Sequence, residues 1–455
     1  MDVAAQVASG GDEGGEFESA FARFRSLIDA ERIEAMQPLG PATVYTAAVT
    51  VWLLIYQRLH AGGSLMDAVH ELLRTDAALL PDNRRVREGT LSTNTGAYSQ
   101  ARQRLKCEVT DAVAEHLFNS LVASFPSSLA GRRVFLLDGT TIALAPSAAL
   151  KKAFPPASNQ YGEGTWPIAH LLVAHELESG CALLPELGTK FGPQAQSEAE
   201  LAQALMRRLP ERSVVIADRN FGIFSVAYAA QALRHDVLFR LTEARFRALV
   251  RHAEALEGDD PRRRSWKLSW RPSRGDRQAN PQLPAAACVE ATLHEVQLSD
   301  TLTLWLLTTG PCNTDQAVAL YGRRQDVETD IRNVKVVLDM EHLPARSPTM
   351  LRKELAISIV AYNLVVQVRR LAAQRAKVPP RRLSFTGVWS AVRIILLSPQ
   401  QWTAAEWRQK FELALRAASQ RKLPHRPGRS YPRQAHVKRN KSTSGSRPAE
   451  KKGVK

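Results

Sequence analysis

Three acids in this sequence stand where divalent metal chemistry would need them. Asp138 closes the apolar run 133–137 (RVFLL), and Asp218 closes the run 213–217 (SVVIA). In an open α/β sheet, active sites form at strand ends, where loops and helix N-termini converge. Taken singly, each Asp also suits a turn or a helix cap. The third acid, Glu328, belongs to a spaced set, Tyr321-x2-Arg324-x3-Glu328-x6-Lys335. At about 100° per residue the four side chains fall within an arc of roughly 60° on one helix face. A solvated face with an Arg324–Glu328 pair gives part of this pattern, but such a face does not ask for a phenol at the same azimuth. Two oxygen-ligated cations about 4 Å apart need carboxylates from separate elements. Mg²⁺ prefers oxygen ligands and shares substrate phosphates. One cation activates water or a 3′-hydroxyl and the other stabilises the leaving oxygen. Arg324 and Lys335 would neutralise phosphate beside them.

The elements that must position these residues follow from periodicity. Residues 17–125 read as helices at 17–36, 42–60, 64–74 (N-capped by Ser64), 97–105 and 109–125, an all-helical N-terminal domain. From 126 the composition shifts. Strands are expected at 133–137, 167–177, 182–187, 213–217 and 237–241, with helices at 197–209 and 224–234. This order predicts an α/β core. Residues 242–310 alternate or run β-rich between Pro, Gly and Asp, and read as a β insertion. Helices return at 315–339, 352–377, 384–397 and 404–421, closing a domain that spans 126–420. Residues 1–16 are Gly-rich and of low complexity, and predict disorder.

The chain has 455 residues and a formal net charge of +16. From position 421 to the end there are 12 Lys or Arg and one acid, so the first 420 residues carry only +5. The tail 421–455, rich in Pro, Ser and Gly, reads as disordered when free and able to touch phosphates non-specifically. Apolar stretches at 44–56 and 355–366 are too short to span a bilayer, and the first twenty residues lack the apolar segment of a secretory signal. Four separated cysteines, 107, 181, 288 and 312, make no CxxC. These features exclude a membrane protein, a disulfide scaffold and a zinc finger, and point to a basic cytoplasmic protein with a polyanionic partner.

With Asp138, Asp218 and the Tyr-Arg-Glu-Lys set in hand, the sequence resembles the DDE transposases of bacterial insertion sequences, in the insertion-sequence-four family. Further blocks carry the likeness: AYSQARQRL (97–105), LLDGTT (136–141), IADRNF (216–221), ARSPTMLRKELAISIVAYNL (345–364), LSFTG (383–387) and GRSYPR (428–433). The resemblance implies a ribonuclease-H-like catalytic core with a β insertion. It implies Mg²⁺, or Mn²⁺ in its place, held by Asp138, Asp218 and Glu328. It also implies that Tyr321, Arg324 and Lys335 contact DNA near the cleaved end. The expected activity is cleavage of double-stranded DNA at transposon ends and joining of 3′ ends to a target, with two ends paired by a homodimer. Trp305 is the candidate for a Trp that stacks a flipped base in some members, although a strand Trp more often belongs to a core.

Arg102 and Arg104 on the helix 97–105 suit a DNA groove or a packed surface helix. Arg219 suits phosphate or a brace for Asp218. His170 and His175 alternate with apolar residues and read as strand histidines. A phosphohydrolase of the haloacid-dehalogenase type would need a nucleophilic Asp two residues before Asp138, where Leu136 stands. A DNA-binding protein that has lost catalysis is the remaining alternative, and the intact acid triad argues against it.

Overall fold

A computed structural model of the chain describes residues 27–424, apart from 41, 61–62, 128, 130, 161, 259 and 398–401. The low-complexity start at 1–16, the first half of the helix expected at 17–36, nearly all of the tail 421–455 and the block 428–433 lie outside these residues.

The first helices are α1 (Ala30–Met36), α2 (Ala47–Leu59), α3 (Leu65–Arg74), the single turn α4 (Arg84–Arg87), α5 (Gly96–Arg104) and α6 (Cys107–Ala123). Ser64 caps α3 in a reciprocal box with Asp67, as the Ser-x-x-acid spacing asks. The β-rich middle contains β1 (Val134–Ala143), α7 (Ala148–Ala153), a small ribbon of β2 (Ser158–Asn159) and β3 (Gly162–Glu163), β4 (Ile168–Glu176), β5 (Glu186–Thr189), α8 (Glu198–Met206), β6 (Val214–Ala217), α9 (Phe224–Ala232) and β7 (Asp236–Arg240). Then come α10 (Glu243–Val250), β8 (Glu254–Ala255), β9 (Arg263–Trp270), α11 (Arg274–Ala279), β10 (Val289–Ser299) and β11 (Leu302–Thr308). The last helices are α12 (Thr314–Gly322), α13 (Asp326–Arg332), α14 (Pro348–Ala376), α15 (Phe385–Leu396) and α16 (Ala404–Ser419).

One nine-stranded sheet runs β5-β4-β1-β6-β7-β11-β10-β9-β8. β4 pairs antiparallel with both β5 and β1, and β1, β6 and β7 are parallel to one another. The β-rich segment after β7 continues this sheet, because β11 pairs antiparallel with β7, Leu306 opposite Arg240. The fold is thus mixed α/β, as the strand and helix order predicts. The two faces of the sheet are distinct. Val134, Leu136, Val173, Val214, Ile216 and Leu238 pack with Ala317 of α12 and Val327 of α13, while Phe135, Leu137, Val215 and Ala217 join the larger core.

Two elements depart from the periodicity. The strand expected at 182–187 forms its ladder only from Glu186, because the Asn363 side chain takes both backbone groups of Ala182 at 2.8 Å. The helix expected at 315–339 is not uniform. It tightens into a 3₁₀ turn at Arg323–Gln325 and widens into a π turn at Asn333–Val337. The tight turn sits where Arg323 is drawn to Glu178, 2.6 Å away, and to the Leu177 carbonyl at 3.1 Å.

α14 is the one described helix long and apolar enough to cross a membrane, and it is a core helix packed on α2, α6, α15 and α16. Its buried charges all have partners. Lys353 Nζ donates to the Arg102 and Gln103 carbonyls at 3.0 and 2.9 Å, at the end of α5. Glu354 pairs with Arg102 at 2.7 Å and accepts from the Ala345 amide at 3.1 Å. Replacing Lys353 with Met keeps the volume and strips the donors from two carbonyls. A loss of about 1–3 kcal/mol in urea unfolding is expected, and an unchanged midpoint would refute that cap. All four cysteines are free, and Cys181 is fully buried.

Candidate functional site

The two aspartates meet because of strand register. β1 and β6 are parallel neighbours with Leu136 opposite Ile216. Asp138 and Asp218 each follow by two residues, so they are level on adjacent chains and on the same face. That face is the one covered by α12 and α13. Arg324 and Glu328 lie one helical turn apart above it, and Arg324 reaches all three acids. Its Nη2 is 3.0 Å from Asp138 Oδ2 and 4.0 Å from Asp218 Oδ2, and its Nη1 is 2.7 Å from Glu328 Oε1.

The acids are only partly screened from one another. Burial pushes the Asp138 carboxyl up to about 6, helped by the charges of Asp218 and Glu198 and opposed by Arg324 and the Gly139 amide. Asp218 accepts from the Asn220 amide at 2.9 Å, which fixes its loop. Lys335 lies further along the same run, in the π turn. Its Nζ donates to the Thr141 carbonyl at 3.1 Å, is 3.4 Å from Thr140 Oγ1, and pairs with Glu341 at 3.0 Å. Tyr321 is half-buried beside Arg240 at the end of β7, and burial raises its phenol above the ordinary value. The four residues of the spaced set are therefore strung across β7, β6 and β1. Among the described residues, no group of three His, Cys, Asp or Glu closes into a metal cage. The three carboxylates instead surround the Arg324 guanidinium.

The arrangement suits phosphodiester chemistry: clustered oxygen ligands at parallel strand ends, with two cationic side chains beside them. The profile of the family described as Transposase DDE domain matches residues 129–364, more than half the chain. The chain belongs to this family. The match runs from just before β1 into α14 and contains Asp138, Asp218, Glu328 and all four spaced residues. No curated protein matches the chain. Among solved structures, a cryo-EM structure of the piggyBac transposase synaptic complex with hairpin DNA aligns with a TM-score of 0.39 and 9% identity, over 91% of this chain and 87% of that chain.

Other residues of this DDE protein fall elsewhere. Arg219 is exposed beside Asp218, and its carbonyl accepts from Arg245 at 3.3 Å. Trp305 is half-buried in β11, with Nε1 on Glu295 at 3.1 Å and its ring near Phe246 at 6.5 Å between centroids. Arg102 is turned inward to Glu354, whereas Arg104 is exposed. His170 and His175 are buried strand histidines, with Nδ1 at 3.0 Å from the Gln196 carbonyl and 3.4 Å from the Gly180 carbonyl.

The sequence reading missed two groups. Asp330 is buried behind Glu328 and pairs with Arg381 at 2.8 Å. Its only signal is an acid on the apolar side of a helix. Glu198 begins α8 and lies against Gly139. Its signal is an acid left over in a helix start whose cap already uses Glu200.

Proposed function

We propose that this chain is a transposase of the insertion-sequence-four type that cuts DNA at element ends and joins the 3′ ends to a target. The observation that carries the reading is the convergence of Asp138, Asp218 and Glu328 on one cationic point. Those acids come from two adjacent parallel strands and a helix crossing above them. The central order β5-β4-β1-β6-β7, antiparallel then parallel, supports a ribonuclease-H-like core.

The donor set fits a hard divalent cation, Mg²⁺ or Mn²⁺: all oxygen, anionic and mutually repulsive unless a positive charge lies between them. When bound, such a cation supplies an activated oxygen nucleophile and a sink for charge on the leaving oxygen. The chain's own residues do the rest. Asp138, Asp218 and Glu328 would hold the cations. Arg324, released from the acids, and Lys335, at the rim of β1, would bind phosphate oxygens next to the scissile bond. Tyr321 would present its phenol to the DNA end on the β7 side. Arg219 and Arg104, both exposed, would bind the backbone more distantly. Double-stranded DNA is the substrate, and a homodimer would bring two ends together.

The test is a nicking and strand-transfer assay on DNA carrying the element's own ends, with Mg²⁺ or with chelator. Cutting at the ends that vanishes in chelator is expected. DNA binding with no cutting under any divalent metal would instead favour the non-catalytic reading. The raised Asp138 carboxyl adds a pH signature. Protons and metal compete for this group, so Mn²⁺ affinity should weaken as pH falls below about 6 and level off above it. A flat affinity between pH 5 and 8 would refute that competition.

A further inference from the structure

Along β1, successive side chains alternate between faces. Asp138 and Thr140 face Arg324 and Lys335, so Gly139 faces the other way, toward α8. There the Glu198 carboxylate fills the space that a side chain would need. A Cβ placed on Gly139 would fall deep inside the radius of Glu198 Oε1 and would also crowd its Cδ and Cγ. Any larger residue at 139 would push the Glu198 carboxylate out of this position. The sheet is also open at this point. β6 ends at Ala217, and its ladder with β1 stops at Leu136. Beyond it, β4 is the one described strand that pairs with β1.

Glu198 has no other evident duty. The reciprocal cap of α8 is made by Ser197 and Glu200, with the Ser197 amide 2.7 Å from Glu200 Oε2. Among the described residues, the one basic side chain within 4 Å of Glu198 is His170, whose Nε2 is 3.7 Å from Oε1, beyond hydrogen-bond range. The opposite ring nitrogen of His170 is engaged by the Gln196 carbonyl. Gly139 directly follows Asp138, so the Glu198 carboxylate sits against the next residue of the same strand. Three carboxylates surround the Arg324 guanidinium, and Glu198 adds a fourth on the other side of Gly139, an excess of negative charge that two divalent cations would offset.

We propose that Glu198 is a fourth acid of the cation site, reaching it past Gly139 from the α8 side of the sheet. The inference rests on the metal-dependent reading above and adds a ligand that the spaced acids do not include. Its role is to strengthen cation binding on the Asp138 side, and Gly139 is the opening that lets it do so.

The test is titration of the full chain with Mn²⁺ alone, followed by calorimetry, comparing the parent with Glu198→Gln, Glu198→Asp and Asp138→Asn. Glu198→Gln should bind Mn²⁺ about 10- to 100-fold more weakly. Its melting temperature in chelator should equal that of the parent, and Glu198→Asp should recover part of the loss. A Glu198→Gln isotherm that superimposes on the parent, while Asp138→Asn loses binding, overturns the role of Glu198 alone. A parent that binds no Mn²⁺ overturns the metal-dependent reading and this inference with it. Should the variants not fold, the parent itself answers the question. Fe²⁺ loaded at the site, with ascorbate and peroxide, should cleave the backbone near 138, 218 and 198. Cleavage near 138 and 218 that spares 198 overturns the proposal.

Discussion

Asp138→Asn is expected to lower strand cleavage by about 10³-fold or more while leaving affinity for DNA ends intact. A divalent cation supplies several kcal/mol of transition-state stabilisation, and about 1.4 kcal/mol corresponds to each factor of ten. Asn keeps the shape and one acceptor oxygen but removes the charge that would fix the cation. The fold tolerates this change, because Arg324 keeps Asp218 and Glu328 as partners at 4.0 and 2.7 Å. Asp218→Asn and Glu328→Gln should behave alike, since each removes one carboxylate from the same point. DNA affinity is set by basic groups and their counterions, so its salt dependence should not change. Gel-shift binding and single-turnover cleavage on the same end DNA separate the two effects. Cleavage by all three variants within tenfold of the parent would sink the assignment.

Much of this site is legible in the sequence because its geometry is set locally. A run of four apolar β-formers followed by Asp gives the same offset in β1 and in β6, and parallel pairing then brings the acids level. The Arg324–Glu328 spacing is a helical turn that any sequence reading recovers, and it survives the switch from 3₁₀ to α at Asp326. What depends on distant chain segments was not legible. Arg102 looks like an exposed groove-binding residue on α5, but Glu354, some 250 residues away, turns it inward. Trp305 suits either a base-stacking role or a core in the sequence, and only the fold shows that Glu295 on the neighbouring strand β10 holds its Nε1. Glu198 was hidden by its neighbours: Ser197 and Glu200 form so clear a cap signal that the acid between them reads as first-turn charge. The π turn at Asn333–Val337 has no sequence marker at all. It shifts Lys335 off the ideal helical azimuth and onto Thr140 and Thr141 of β1.

Arg381→Met should destabilise the protein by about 3–5 kcal/mol and misplace Glu328 as a consequence, because it leaves a buried carboxylate unpaired. Asp330 is about 1% exposed and lies in α13 two residues after Glu328, on the side facing the sheet interior. Arg381 Nη2 pairs with it at 2.8 Å, and the same guanidinium donates to the Leu177 carbonyl at 2.6 Å and the Glu176 carbonyl at 3.2 Å. One side chain thus ties α13 to the end of β4. Burial by itself would push Asp330 up, yet Arg381, His175 and Arg369 together hold it below the ordinary carboxylate value. The sign of the pH effect follows. A depressed carboxyl adds stability above the unfolded value of about 4, and that stability is lost as pH falls through the lower folded value. Without Arg381, burial governs and Asp330 becomes a raised carboxyl, which is relieved by acid. The deficit of Arg381→Met relative to the parent should therefore be largest near pH 7 and shrink toward pH 4. Urea unfolding of both proteins at several pH values reads this directly. A deficit that is constant with pH would mean that the loss comes from the two carbonyls and from packing. The double variant Arg381→Met with Asp330→Leu removes both charges and should recover much of the stability. Cleavage should recover with it if α13 is held by packing, and should stay low if Glu328 needs the ion pair to sit over Asp138.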